Sequence, residues 1–428
     1  VTETVLLVGG GGREHAIARA LADDTELYAC ASNRNPGIAQ LAAGTAEIPE
    51  RDTEGIVDYA ERVDADLAVI GPESALAAGV VDALDAAGTY AFGPHADQAR
   101  IETDKQFQRT FMRRESIPGC PDFETFDDAD AAADYVASVD HDVAVKPAGL
   151  TGGKGVRVTG DQVTTREAVD YVRGSDYDEW VVEERLVGEE FTVQAFVAGR
   201  ELRATPAIQD HKRAYEGDEG PNTGGMGSYS DTNRTLPFLD RADYDRAVET
   251  LRSVVDAMPA YEGVLYGQFM LTADGPKVVE FNARFGDPEA TNTLPTLETP
   301  LIDVLTAARD GDPLPELSFA PTATVCKYAV PEGYPTDPDG GTRIAVDEES
   351  AGDATLFYAS VDERADGIYT TTSRALAVVG TGESIAAAEA VASDALVVAG
   401  DGLRYRSDIG TAASVQRRID HVAELQNR

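Results

Sequence analysis

Apolar residues in the first hundred positions come in short unbroken runs, each closed by glycine or proline. Val5–Val8 enters Gly9–Gly12, and helical periodicity follows over Arg13–Leu21, which predicts strand, glycine turn and helix. Leu27–Ala31 is the next strand, and Leu67–Ile70 before Gly71-Pro72 and Tyr90–Phe92 before Gly93-Pro94 are two more. Strands that are apolar on both faces belong in a parallel sheet covered by helices. From Thr103 the texture changes to a helix and then extended segments ending in Val143–Lys146, Trp180–Val182 and Phe191–Val197, with alanine-rich helical stretches between them. Clustered prolines at Pro313, Pro315 and Pro321 mark a second connection, beyond which Thr324–Val330 reads as a strand and Ser384–Leu396 as a helix. The expected architecture is a multidomain mixture of α/β and α+β: a parallel α/β domain over 1–102, a central α+β domain over 103–320 and a small α+β domain over 321–428. There is no internal repeat.

Composition changes the picture in two ways. First, the 428 residues carry 36 basic against 76 acidic side chains, a net charge of −40. Such a surface repels nucleic acid and anionic lipid, so neither is an expected partner, and it predicts a protein that needs concentrated salt to screen its own repulsion. Second, Cys30, Cys120 and Cys326 are scattered without CxxC spacing, which argues against a disulfide framework or a thiolate zinc site and for small buried hydrophobes. No window is apolar enough for a membrane span, and the N-terminus lacks the layout of a signal peptide. The cytoplasm is the expected address, and a monomer or weak homo-oligomer the expected assembly.

Only six residues are lysine: Lys105, Lys146, Lys154, Lys212, Lys277 and Lys327. In a chain otherwise stripped of ammonium groups, those that remain point to a site. Lys146 and Lys154 bracket KPAGLTGGKG, where a strand-ending lysine and the Thr151–Gly155 turn, through Gly152, Gly153 and Lys154, would meet a phosphate chain. A plain hairpin turn accounts for the glycines but not for Lys154. This is no Walker loop, because Gly155 stands where a hydroxyl is needed. The Gly9–Gly12 turn is a second anion cradle, or else only a tight strand-to-helix connection. It lacks the full dinucleotide fingerprint, since Glu14 occupies the third glycine position.

In VVEFNARFGDPE, Val278 to Glu289, alternation puts Glu280, Asn282 and Arg284 on one face. A carboxylate and an amide oxygen two residues apart suit Mg²⁺, and Arg284 adds a fork for carboxylate or phosphate. Asp287 and Pro288 read as N-cap and first position of the next helix. QDHKR, Gln209 to Arg213, and GPNTGGMG, Gly220 to Gly227, are polar loops able to close over a small substrate; His211 alone reads as structural. VVEERLVGEE, Val181 to Glu190, is either a connector that meets a nucleoside or solvated charge.

These motifs, together with GGREH at Gly11 to His15, NPG at Asn35 to Gly37, GPE at Gly71 to Glu73, FGP at Phe92 to Pro94, Lys105 of TDK and RSDIG at Arg406 to Gly410, occur in a specific order. In that order the chain resembles, almost end to end, the ATP-grasp superfamily and within it the phosphoribosylamine–glycine ligase family. The resemblance implies a central ATP-grasp domain with a mobile subdomain at about 115–190. For ATP it implies Lys105, Lys146, Gly152, Gly153, Lys154, Glu183, Leu186 and Glu190, and for Mg²⁺ or Mn²⁺ it implies Glu280 and Asn282. Arg284, Lys154, Asn222 and Gly225 would face glycine and the transferred phosphate. Phosphoribosylamine would lie near Gly9, Gly11, Gly12, Arg13, Asn35, Gly37 and Glu73, with Asp210 and Lys212 also on substrate. Departures from the family pattern are Ala148 for an aspartate, Thr151-Gly152 for two alanines, Thr291 for glutamine and Gly10 for asparagine.

The implied activity joins glycine to 5-phosphoribosylamine through glycyl phosphate, with no protein nucleophile. Three rivals stand beside it: an ATP-grasp ligase for another acid or amine, a dinucleotide-dependent oxidoreductase, and a non-catalytic nucleotide sensor.

Overall fold

The computed structural model describes residues 2–150 and 155–427. Its N-terminal domain is a five-stranded parallel sheet in the spatial order Gly44–Glu47, Thr25–Ala31, Glu3–Val8, Leu67–Ile70, Tyr90–Phe92. The predicted strands are all present. Gly44–Glu47 was not foreseen, because it lies at an edge, has no apolar run and buries none of its residues. Strand order reverses beside Glu3–Val8, where Val8 pairs with Ile70. The crevice beyond such a switch is where open α/β sheets bind ligands, and here Gly9–Gly12 and Gly71–Glu73 emerge into it side by side.

The central region has two antiparallel sheets. The larger runs Glu201–Ala204, Glu189–Ala198, Gly263–Thr272, Gly275–Asn282, and its core is continuous with that of the N-terminal domain. The smaller runs Phe123–Phe126, Trp180–Glu184, Val143–Pro147, Arg157–Val158. Helices Ala129–Ser138 and Thr165–Gly174 cover it and close a separate core around Val136, Val145, Val172 and Trp180.

The C-terminal sheet is ordered Gln209–Asp210, Gly227–Ser230, Ala323–Pro331, Leu376–Gly382, Thr355–Tyr358, and Leu403–Arg404 pairs with the end of Ala323–Pro331. Its first two strands come from the polar loops of the central region, so those loops are fastened to the far side of the proline cluster. Helix Ile385–Ala395, capped by Ser384, lies directly on this sheet: a Cβ on Gly380 would sit 2.0 Å from the Ala388 carbonyl oxygen. A last helix, Ala412–Gln426, packs on the strands Glu189–Ala198 and Gly263–Thr272.

Two expectations need correction. The helix after the VVEFNARFGDPE motif begins at Glu289 with Pro288 in the capping position, and Asp287 does not cap it. The Asp287 carboxylate instead accepts from Tyr328 Oη at 2.6 Å and pairs with Arg374 at 3.1 Å. Among the cysteines, Cys30 and Cys326 are buried as expected, whereas Cys120 is only partly covered. No helix among the described residues is long and apolar enough to cross a membrane.

Candidate active site

Two cavities meet beneath the sheets. The first, about 310 Å³, lies between the small and large central sheets and is lined by Lys146, Glu183, Leu186, Glu190, Lys212, Asn222 and Glu280, among others. Lys146 pairs with Val181 across the small sheet, so it shares a face with Glu183 two residues along. Lys146 Nζ stands 2.8 Å from Glu183 and donates to the Val279 carbonyl at 3.1 Å. Arg109 holds the same carboxylate from the other side, Nε to Oε1 at 2.7 Å and Nη2 to Oε2 at 3.0 Å. Burial by itself would raise the Glu183 carboxyl, but Arg109 and Lys146 outweigh it and hold it below the usual range. Lys146 is depressed, chiefly by burial. A charged lysine with a fixed counter-ion at a cavity wall is pre-positioned for an anion.

Glu280 and Lys212 line this cavity and also the second, about 300 Å³. Lys212 Nζ lies 3.2 Å from Glu280 Oε1 and also donates to Gln268. Burial would raise Glu280, yet Lys212, Lys146 and Lys105 bring it down to about 2, so the carboxylate stays ionised. Asn282 faces the second cavity from the same strand. This pair fits a hard cation that takes its remaining ligands from water and phosphate. Among the described residues no cluster of three or more histidine, cysteine or acidic ligands exists, so the protein would supply only part of such a coordination shell. Lys105 donates to the Gly149 carbonyl at 2.7 Å and lines the second cavity.

The second cavity also holds Arg13, Glu73, Asp210, Arg284 and, unannounced by the sequence, Glu102 and Arg374. Arg284 is not a free fork: Nη2 pairs with Glu102 at 2.8 Å, Nε with Glu73 at 3.4 Å, and Nη1 donates to the Phe285 carbonyl at 3.2 Å. Burial raises Glu102 to about 7, only partly offset by Arg284. Asp210 is raised well above its ordinary value by burial and by Glu289, and its Oδ1 has no hydrogen-bond partner. Arg374 Nη1 donates to the carbonyls of Gly224 at 2.7 Å, Gly225 at 3.1 Å and Asp287 at 3.0 Å, tying the Gly220–Gly227 loop to the end of the VVEFNARFGDPE motif. Gly225 stands at φ +110°, where a Cβ would come within 2.6 Å of Pro288 and 2.7 Å of Asp210.

The remaining sequence candidates are distributed unevenly. Arg13 and Glu73 reach the second cavity, and Arg13 Nη1 spans the switch point to the Gly71 carbonyl at 2.8 Å. In the glycine turn, the Gly11 amide is taken by Glu14 of the following helix at 2.8 Å, and Gly12 gives room to Tyr328 Oη. Gly9 and Asn35 line a separate recess of about 120 Å³. All of the Asn35 amide contacts are internal: it accepts from Gly37 and Ile38 N–H and donates to the Gly10, Tyr358 and Ala359 carbonyls. Gly37 is required by packing, since a Cβ there would overlap the His15 ring. Gly152, Gly153 and Lys154 lie outside the described residues.

Three family models tile the chain: phosphoribosylglycinamide synthetase N domain over residues 3–102, its ATP-grasp (A) domain over 103–290 and its C domain over 324–412. The chain belongs to the phosphoribosylglycinamide synthetase family. It is 50% identical to the phosphoribosylamine–glycine ligase of Methanosarcina barkeri, over 99% of this chain and 99% of that protein. The corresponding ligase of Methanococcoides burtonii is likewise 50% identical, again over 99% of each. A crystal structure of phosphoribosylamine–glycine ligase from Thermotoga maritima superposes with a TM-score of 0.80 at 26% identity, covering 95% of this chain and 99% of that one. An ADP complex of N5-carboxyaminoimidazole ribonucleotide synthetase, 14% identical with a TM-score of 0.68 over 93% and 97% of the two chains, shares the fold. Membership of this ligase family sets aside the oxidoreductase and the sensor.

Proposed function

We propose a division of labour between the two cavities in an ATP-dependent carbon–nitrogen ligase that makes glycinamide ribonucleotide from glycine and 5-phosphoribosylamine. The first cavity takes ATP, with its phosphates toward Lys146, Lys105 and Lys212. The second takes glycine and phosphoribosylamine. The observation that carries this reading is that Glu280 and Lys212 are walls of both, so a terminal phosphoryl group at the junction is within reach of a carboxylate bound next door.

In this scheme a glycine carboxylate oxygen attacks the γ-phosphorus as its bond to ADP breaks, giving glycyl phosphate. The amine of phosphoribosylamine then attacks the acyl carbon, phosphate leaves, and the nitrogen sheds a proton. Free carboxylate is a poor acyl donor, and phosphorylation supplies the leaving group. The protein's part is positioning and charge: Lys146 and Lys212 meet phosphate oxygens, and Arg284, braced by Glu102 and Glu73, presents a fixed cationic face to the substrates. Glu280 and Asn282 would hold Mg²⁺ or Mn²⁺, which when bound neutralises charge building on the phosphates. The separate core of the small sheet supports its assignment as the mobile subdomain at about 115–190, able to close as a body over nucleotide and exclude water.

The domain limits 1–102, 103–320 and 321–428 belong to this reading, with two strands of the central domain lent to the C-terminal sheet. Three free thiols favour a reducing compartment such as the cytoplasm, and the acidic surface favours a monomer or weak homo-oligomer at high salt. The deciding experiment is ADP release with each substrate omitted in turn. Turnover that needs both glycine and phosphoribosylamine is expected, and turnover with either omitted would overturn the reading.

A further inference from the structure

The last helix reaches the first cavity. Ala412–Gln426 begins at a Thr411 cap and packs on the two central strands of the large sheet, and His421, two turns in, lines the cavity beside Leu186, Gly188, Glu190 and Met270. Glu190 and Met270 are cross-strand partners and Glu190 accepts from Gln268, so the wall beside His421 combines apolar side chains with a hydrogen-bonded carboxylate. Leu186, Val187 and Met270 offer apolar surface that suits a base, Lys146 stands on the small sheet, and Lys212 reaches this wall through Gln268.

The ring is held in one orientation. His421 Nδ1 is 2.6 Å from Glu189 Oε1, and because a carboxylate only accepts, Nδ1 carries the proton. Glu189, itself buried, is fixed in turn by Arg418 at 3.1 Å and by Gln209 Nε2 at 3.4 Å. Arg418 also pairs with Asp218 in the segment that leads into the Gly220–Gly227 loop. With Nδ1 committed to Glu189, Nε2 of the half-exposed ring, 39% accessible, is the atom left to face a ligand. A nucleoside provides the matching donors in its ribose hydroxyls and exocyclic amine.

We infer that His421, on the C-terminal helix, is a nucleotide-contact residue whose Nε2 accepts a hydrogen bond from the nucleoside moiety of ATP. The inference rests on the first cavity being the nucleotide site, and the experiment separates the two. ADP and inorganic tripolyphosphate affinities are measured by calorimetry for the full-length protein and for His421→Ala and Met270→Trp. Loss of one neutral hydrogen bond should weaken ADP binding about three- to tenfold in His421→Ala. Tripolyphosphate, which has no nucleoside, should bind that variant unchanged, and Met270→Trp, which fills the cavity, should lose ADP. Unchanged ADP affinity in His421→Ala, with Met270→Trp impaired, overturns this inference alone. Equal weakening of both ligands in His421→Ala means that the helix merely supports the fold, and also overturns it. Full ADP affinity in Met270→Trp removes the cavity assignment and the inference together. In turnover, the same change should appear in the KM for ATP, with the KM for glycine and the kcat at saturation preserved.

Discussion

Lys212 Nζ and Glu280 Oε1 stand 3.2 Å apart in the partition between two cavities, one walled by Lys146 and the other by Arg284. The pair joins a polar loop of the central region to the outer strand of the large sheet. Either side chain is a short movement from whatever occupies the junction.

Replacing Glu280 with glutamine keeps the shape and removes the charge. Lys212 and Lys146 lose a counter-ion at the junction, and the proposed cation would lose its anionic ligand. Turnover in excess Mg²⁺ should fall about a hundredfold or more, the scale seen when one electrostatic partner of a transferring group is removed. Circular dichroism should show an intact fold. Wild-type turnover in the variant would remove Glu280 from the site.

Arg109 is 1% exposed and bridges the helix Lys105–Glu115, the small sheet and the large sheet through Glu183 and two carbonyls. Arg109→Leu leaves Glu183 buried with only Lys146. Removing one partner of a buried ion pair costs about 3–5 kcal/mol. Denaturant unfolding should report a loss on that scale, together with a higher KM for ATP as Lys146 is drawn toward the unpaired carboxylate. A loss below about 1 kcal/mol, the range of surface pairs, would contradict the bridging role.

His211 supplies an acid-sensitive element. Its ring is 2% exposed, both nitrogens lack partners, and burial lowers it to about 3, with Arg418 contributing. The unfolded chain binds this proton at its ordinary value near 6.5, so the folded state is at no disadvantage above that pH. As the pH falls from there toward 3, the unfolded state gains a proton that the folded state refuses, at about 1.4 kcal/mol per pH unit. The difference in unfolding free energy between His211→Phe and the parent should therefore shift in favour of the variant across that window. A constant difference would show that the ring is already protonated in the fold.

At a net charge of −40 the folded state repels itself. Between about 0.1 M and about 1 M KCl the Debye length shrinks from about 10 Å to about 3 Å, which removes most of that repulsion between exposed groups. The thermal midpoint should climb steadily over this range, and a flat profile would exclude a salt requirement.

The parallel sheet was legible because Leu67–Ile70 and Tyr90–Phe92 are unbroken apolar runs, buried on both faces. Gly44–Glu47 and the two-residue strand Gln209–Asp210 were not, because their pairing is decided by distant neighbours rather than by their own pattern. In the site, the lysines stood out because six remain in the whole chain. Arg109, Glu102 and Arg374 did not, since a charge in so charged a sequence carries no message until burial singles it out. The clue available for Arg109 was its place three residues before Met112, on the side of the helix that carries that apolar residue. The cap expected at Asp287 failed because Tyr328 and Arg374, remote in sequence, claim the carboxylate.

The strand Gly227–Ser230 has Ala323–Pro331 as its partner, nearly a hundred positions downstream. During synthesis, then, this strand has only the two-residue strand Gln209–Asp210 to pair with until that later segment leaves the ribosome. Catalytic competence should arrive late and all at once, after the N-terminal sheet has long been folded.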